Sequence, residues 1–292
     1  MLNYKAWDQT SGSAGDYVDV TTSGGTTAFS SGTNGGALTV DSVNDAPVLL
    51  TGSVSNLIVN EDSGLTSLGL ESVTYGPGGG ADEAGQSLSY EVTVIPAPSA
   101  GTVYLADGIT AVTIGSYSLA DIQGMQFRPA DNVSTTTGFQ FNVTDDGGTA
   151  SGGIDSISQF ILITINAVND DPVNNGSFPA SVTFTEDIAG TLDLSGLAID
   201  DIDAGAGELT LTLTTSTGGD LSASAGTGIT LGGTSTALTL TGSLADLNGY
   251  LDTTTNISYL HGVEHTSGAA ADSIQVDIND NGNTGTGGSG TI

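Results

Sequence analysis

The sequence predicts an all-β chain of tandem antiparallel sandwiches, and three observations carry that expectation. Apolar residues alternate with polar ones through most of the chain, Gly, Asn and Asp clusters separate the alternating runs, and one phrase returns after a fixed interval. Val43-Asn44-Asp45-Ala46-Pro47-Val48 comes back as Val168-Asn169-Asp170-Asp171-Pro172-Val173, a shift of 169 − 44 = 125 residues, and Glu61-Asp62 comes back as Glu186-Asp187 at the same shift. A period that long is a whole domain, so the phrase marks the joints of an array.

Residues 1–48 come first. Leu2-Asn3-Tyr4-Lys5-Ala6-Trp7-Asp8 reads like Phe139-Gln140-Phe141-Asn142-Val143-Thr144-Asp145, and Ala37-Leu38-Thr39-Val40-Asp41-Ser42-Val43 reads like Leu162-Ile163-Thr164-Ile165-Asn166-Ala167-Val168. The expectation is the C-terminal strand pair of a truncated domain. Residues 49–173 form the first full unit, with strands expected at 88–94, 139–143 and 161–165. Residues 174–292 form a second, with strands at 209–213 and 274–278 and its last strand expected only to begin at Thr291-Ile292. Clusters such as Gly76-Pro77-Gly78-Gly79-Gly80 and Thr217-Gly218-Gly219-Asp220 supply the turns between strands. Helix signal is confined to Ser118-Leu119-Ala120-Asp121-Ile122 and Ser243-Leu244-Ala245-Asp246-Leu247, each a Ser-capped turn or short helix before a strand.

Composition narrows the function. Against 33 acids stand only Lys5 and Arg128, for a formal charge of −31. Such a surface repels nucleic acid and anionic membrane, whose binding needs Lys and Arg, and attracts cations. High net charge also favours disorder, but a 37% hydrophobic share arranged in alternation argues for folding with the help of counterions. Without cysteine there is neither a disulfide framework nor a Cys zinc site. No apolar run is long enough for a signal peptide or a membrane span, so no direct membrane insertion is expected, and an export signal would lie outside this sequence. The acidic, Gly/Thr/Ser-rich composition fits an extracellular or cell-surface location.

Acids recur at four stations per unit: the joint (Asn44, Asp45; Asn169, Asp170), the pair after the first strand (Glu61, Asp62; Glu186, Asp187), a mid-unit cluster (Asp82, Glu83; Asp200, Asp201, Asp203) and the loop after the penultimate strand (Asp145, Asp146; Asn279, Asp280). Calcium takes six to eight oxygens from carboxylates, Asn carbonyls and backbone, so loops that converge at one end of a sandwich supply the right chemistry. The alternative is that these are solvated turn acids, since Asp and Asn favour turns without metal. His261-Gly262-Val263-Glu264-His265 matches the His-x-x-Glu-His pattern of a zinc peptidase family and is the basis for a metal-dependent hydrolase as an alternative; that motif needs a helix, and here it holds glycine among strand segments. Four Asn-x-Ser/Thr sequons, such as Asn132-Val133-Ser134, are expected by chance in so Thr/Ser-rich a chain.

The run Phe141-Asn142-Val143-Thr144-Asp145-Asp146-Gly147-Gly148, followed by Ile161-Leu162-Ile163-Thr164-Ile165-Asn166-Ala167-Val168-Asn169-Asp170-Asp171-Pro172-Val173, resembles the end of a cadherin repeat. The Val-Asn-Asp-Ala-Pro-Val joints and the phrase Asn279-Asp280-Asn281-Gly282-Asn283-Thr284-Gly285 are closer still to the cadherin-like tandem repeats of large bacterial surface and RTX-type adhesins. The resemblance covers essentially the whole chain and implies Ig-like or cadherin-like sandwiches with calcium at the joints. It implies Asn44, Asp45, Glu61, Asp82 and Asp145 as ligands at the first joint, and Asn169, Asp170, Glu186, Asp201, Asp203 and Asp280 at the second. Ala81-Asp82-Glu83 departs from the family's Asp-x-Asp, and the internal acidic motif of animal cadherins has no clear counterpart, so three ions per joint do not follow.

The function expected is a non-enzymatic extracellular stalk or adhesion module rigidified by calcium between its domains. Its expected partners are further repeats or copies of the same chain and a cell-surface or matrix ligand. An alternative is a fibre subunit in which the Leu38–Val43 segment of one copy completes the last sheet of the next; excision from a longer array accounts for the same ends.

Overall fold

A computed structural model describes residues 2–179, 181–261, 268 and 271–283. At the N-terminus β1 (Leu2–Tyr4) pairs antiparallel with β2 (Asn34–Gly36). The first unit then runs through β3 (Val48–Thr51), β4 (Leu57–Asn60), β5 (Thr66–Ser67), β6 (Thr74–Gly76), β7 (Leu88–Val94), β8 (Gly101–Tyr104) and β9 (Gly115–Tyr117), and on through α1 (Leu119–Gln123), β10 (Gln126–Pro129), β11 (Thr135–Asp145) and β12 (Ser156–Asn166). The second unit holds β13 (Val173–Asn174), β14 (Gly190–Thr191), β15 (Ile199–Asp200), β16 (Glu208–Thr215), β17 (Asp220–Ala223), β18 (Thr230–Thr234) and β19 (Ala237–Ser243), then α2 (Leu244–Leu251), β20 (Ile257–Leu260) and β21 (Ile274–Asn279).

The first unit is a sandwich of a five-stranded sheet, in order β4-β12-β11-β7-β9, and a three-stranded sheet, β5-β10-β8, with β3 and β6 paired beside them. Every neighbour is antiparallel except β4, which lies parallel to β12. Alternation selects the inward face: Phe139, Phe141 and Val143 of β11 and Ile161, Ile163 and Ile165 of β12 are buried, and they meet Val103 and Phe127 from the other sheet in one core. The second unit repeats the plan, with β18-β19-β16-β21 against β14-β20-β17 and with β13 paired to β15. Its separate core gathers Leu209, Leu211, Leu213, Leu240, Leu247 and Ile278.

Both short helices are begun as the sequence indicated. The Ser118 hydroxyl accepts from Asp121 N and the Asp121 carboxylate answers to Ser118 N, a full capping box, while Ser243 caps Asp246 N in the same way. The N-terminal segment departs from expectation. The β1–β2 ladder is three residue pairs long, and Ala37–Val43 carries no strand, leaving Leu38 80% and Val40 85% exposed. Its counterpart, the end of β12, is held between β11 and β4 inside a five-stranded sheet, whereas β1 and β2 form an isolated two-stranded ladder, which is marginal in water and gives a further strand little to build on.

Candidate functional site

Each joint is built by a linker Asn-Asp threading between loops of the unit that follows it. At the first, Asn44 Nδ2 donates to Asp145 Oδ1 at 2.9 Å and to the Ile154 carbonyl at 2.8 Å, while its Oδ1 accepts from Gln86 Nε2 at 2.6 Å. Asp45 N donates to Glu83 Oε1 at 2.7 Å. Gly147 passes so close that a Cβ there would stand 1.8 Å from Asn44 Oδ1, so any larger residue in the turn after Asp145 would displace the Asn44 side chain. Gly147 N in turn donates to Asp145 Oδ1.

The second joint repeats the pattern. Asn169 Nδ2 donates to Asp280 Oδ2 at 2.6 Å, Asp170 N donates to Asp203 Oδ2 at 2.7 Å, and Gly282 N donates to Asp280 Oδ1 at 2.9 Å. Asp201 Oδ1 accepts from the amides of Asp203 and Ala204. The repeat therefore makes Asp145 equivalent to Asp280, and Glu83 equivalent to Asp203.

Two sequence-derived placements change. Asp82 is exposed, and its neighbour Glu83, 3% exposed, is the carboxylate turned to the linker. Ala81-Asp82-Glu83 thus matches Asp201-Ile202-Asp203 with its last acid kept and its first lost to alanine. Glu61 does not join Asn44 and Asp45. Its Oε1 accepts from Val168 N at 2.9 Å, and its own amide donates to the Asn166 carbonyl, which places it at the second joint. The cause is the parallel pairing of β4 with β12: strands that run the same way end at the same end of the sandwich, so the residue after β4 meets the linker after β12. Glu186, the counterpart of Glu61, lines a groove with Tyr259 and His261, and the amide of its neighbour Asp187 donates to the His261 carbonyl. Gln86 was not singled out in the sequence, because a lone Gln in a loop carries no pattern.

Electrostatics at the joints is one-sided. Burial raises the Asp170 carboxyl above its ordinary value, and the charges of Asp62, Asp203, Glu61 and Asp201 raise it further. Asp201 is also raised by burial, with help from Asp203 and Asp280, and only two backbone amides oppose the shift. Glu83 Oε2, Asp145 Oδ2 and Asp201 Oδ2 are buried oxygens without a hydrogen-bond partner. Native proteins seldom leave such atoms bare, and an ion is one of the groups that satisfies them. Among the described residues no three or more His, Cys, Asp or Glu side chains already converge tightly enough to hold a metal. The donor set is nonetheless hard oxygen throughout, the kind calcium takes.

The His261–His265 pattern is described only at His261; Gly262, Val263, Glu264 and His265 lie outside the described residues. His261 is buried at the end of β20, a strand where the zinc peptidase motif needs a helix. Its Nδ1 lies 2.9 Å from the Tyr259 hydroxyl, which donates to Asp272 Oδ2 at 2.8 Å.

Comparison with known protein families and with curated protein sequences found no match. Similar solved structures include Drosophila N-cadherin EC1-4, at 11% identity and TM-score 0.25 over 87% of this chain and 51% of that one. The chain thus spans about half the length of that cadherin. The titin domains z1z2 in complex with telethonin match at 10% identity and TM-score 0.25 over 86% and 94% of the two chains. The C-terminal domain of the Streptococcus agalactiae AgI/II polypeptide BspA matches at 8% identity and TM-score 0.18 over 80% and 94%. At such TM-scores none of these likenesses bears on function. The ladders themselves define the class, tandem antiparallel β-sandwiches of Ig-like or cadherin-like kind. Among the described residues no helix is long and apolar enough to cross a membrane.

Proposed function

We propose that this chain is an extracellular, non-enzymatic stalk or adhesion module whose joints are stiffened by calcium. The observation that carries the reading is the pair of equivalent joints where buried carboxylate oxygens lack donors, in a chain with 33 acids and two basic residues. Asn44, Glu83 and Asp145 would hold an ion at the first joint, and Glu61, Asp170, Asp201, Asp203 and Asp280 at the second. The ion supplies positive charge where the protein has none. Because Glu61 belongs to the first unit and Asp201, Asp203 and Asp280 to the second, a shared ion ties the two together and removes hinge freedom. Binding to the folded state alone stabilises it by about 2.7 kcal/mol at a hundredfold excess over Kd.

Calcium titration at constant ionic strength, followed by thermal melting and by solution scattering, tests this. Melting temperature and maximum dimension should both rise with calcium and return in chelator. A melting curve and scattering profile that ignore calcium would remove the reading.

A further inference from the structure

Among the described residues, the second unit holds a groove at the place the first unit fills with β12. In the first unit β12 is gripped on both sides, antiparallel to β11 with Ile161 opposite Phe139, and parallel to β4 with Ile163 opposite Leu57 and Ile165 opposite Val59. The counterpart of β11 is β21, since Phe139-Gln140-Phe141-Asn142-Val143-Thr144-Asp145 is matched by Ile274-Gln275-Val276-Asp277-Ile278-Asn279-Asp280 at 274 − 139 = 135 residues. The counterpart of β4 is Val182-Thr183-Phe184-Thr185, at 182 − 57 = 125 residues. Among the described residues β21 pairs with β16 alone, and 182–185 forms no strand. Between these two walls runs a groove of about 810 Å³, lined by Val182, Phe184, Leu192, Ile274 and Val276 and, at its polar wall, by His261.

The polar wall points independently to an occupant. Burial alone would raise the Asp272 carboxyl, but donors from Tyr259, Ser216, Thr217 and Ser273 outweigh it and hold the group ionised, well below the usual carboxylate range. An ionised Asp272 takes the Tyr259 hydroxyl proton into its hydrogen bond, so in the contact between Tyr259 and His261 the imidazole Nδ1–H is the donor. His261 Nε2 is then left without a partner, on a residue only 6% exposed. A groove with apolar sides, the open edge of β21 among the described residues and one buried polar atom to satisfy suits an extended peptide, whose main chain carries both N–H donors and C=O acceptors.

We propose that the slot receives the Gly36–Val43 segment of a second copy of this chain. That segment aligns with the end of β12 and leads into the same Val-Asn-Asp-x-Pro phrase. Its Leu38 and Val40 are 80% and 85% exposed, whereas Ile163 and Ile165, which they match, are 0% and 3% exposed in the first unit. The first unit's register sets Leu38 beside Val182, Val40 beside Phe184 and Gly36 beside Ile274. The donor's Val43 amide then arrives at Glu186, as Val168 N arrives at Glu61 Oε1. Main-chain bonds supply the affinity and the alternate side chains the specificity. Because donor and receiver are different surfaces, the contact does not close and copies add head to tail.

The chain has no cysteine, so disulfide trapping reads this contact without interference. Leu38→Cys and Val182→Cys variants, mixed and gently oxidised, should give a cross-linked dimer, and the double variant a ladder of multimers. Thr39→Cys, whose side chain faces the other way, should link to Val182→Cys several-fold less. Equal yields for Leu38→Cys and Thr39→Cys, or links only within one chain, would overturn the proposal; so would a slot filled by later residues of its own chain, which leaves the mixture uncross-linked. Should Val182→Cys fail to fold, Leu38→Asp in the otherwise native chain decides, since it should abolish concentration-dependent growth in mass by sedimentation. Growth that survives it is contrary to strand donation. Each arm is run in calcium and in chelator, so trapping and joint stiffening succeed or fail separately.

Discussion

Asp201 concentrates the physics of the joint in one side chain. One oxygen is satisfied by the Asp203 and Ala204 amides, and the other is buried with none. An unsatisfied buried group costs roughly 1–3 kcal/mol, and more when charged. Its raised folded-state pKa fixes a sign. Between the ordinary value of 3.8 and the raised one, the folded chain holds more protons than the unfolded chain, so stability falls as pH rises through that window and is flat above it. Asp272 acts oppositely: its depressed pKa contributes stability that is present above the ordinary value and lost as pH falls. In chelator, the second unit should therefore lose melting temperature as pH rises from about 4. Asp201→Asn should flatten that slope, raise melting in chelator and shrink the calcium-induced rise. Melting followed from pH 4 to 7, with and without calcium, checks all three; a variant still fully calcium-responsive shows that Asp201 takes no part in binding.

Strands and caps were the most legible elements, because each is written in a short stretch. The alternation at 88–94 is β7, and those at 139–143 and 161–165 are the centres of β11 and β12. Ser118 and Ser243 announced their helices. Pairing was not legible, since alternation tells which residues face inward but not which strand lies alongside. The parallel β4–β12 pair is therefore not written in the alternation, and neither is the place of Glu61. Two-residue strands such as β5 and β14 are too short to alternate and exist through their neighbours. Asp82 and Glu83 adjoin in a loop, where no period decides which turns in. The separate cores give a prediction at this scale. Ile163→Ala removes a 0% exposed side chain from between β11 and β4, at a cost of about 2–5 kcal/mol to the first unit. Urea unfolding should show one transition moved to lower denaturant with the other in place, and a common shift of both would mean the units do not unfold separately.

At the scale of the whole chain, −31 charges repel one another, and any salt relieves part of that strain. Stabilisation by screening and stiffening by bound calcium therefore have to be separated. Screening depends on ionic strength, with a Debye length of about 8 Å at physiological salt, and ignores which acid is removed. A joint ion depends on particular carboxylates and on which unit supplies them. Glu61 is the discriminating residue because it reaches the second linker from the first unit, and Glu186 is its internal control, the same residue type one period on and lining the groove beside His261. At constant ionic strength in calcium, Glu61→Ala should shorten the maximum dimension in solution scattering and shift the calcium midpoint upward by about tenfold or more, as loss of a ligand costing about 1.4 kcal/mol would. Glu186→Ala should leave the dimension of the two-unit chain unchanged. If both variants behave alike, the effect is charge and not coordination. If Glu186→Ala alone shortens the chain, the parallel strand β4 does not set the joint.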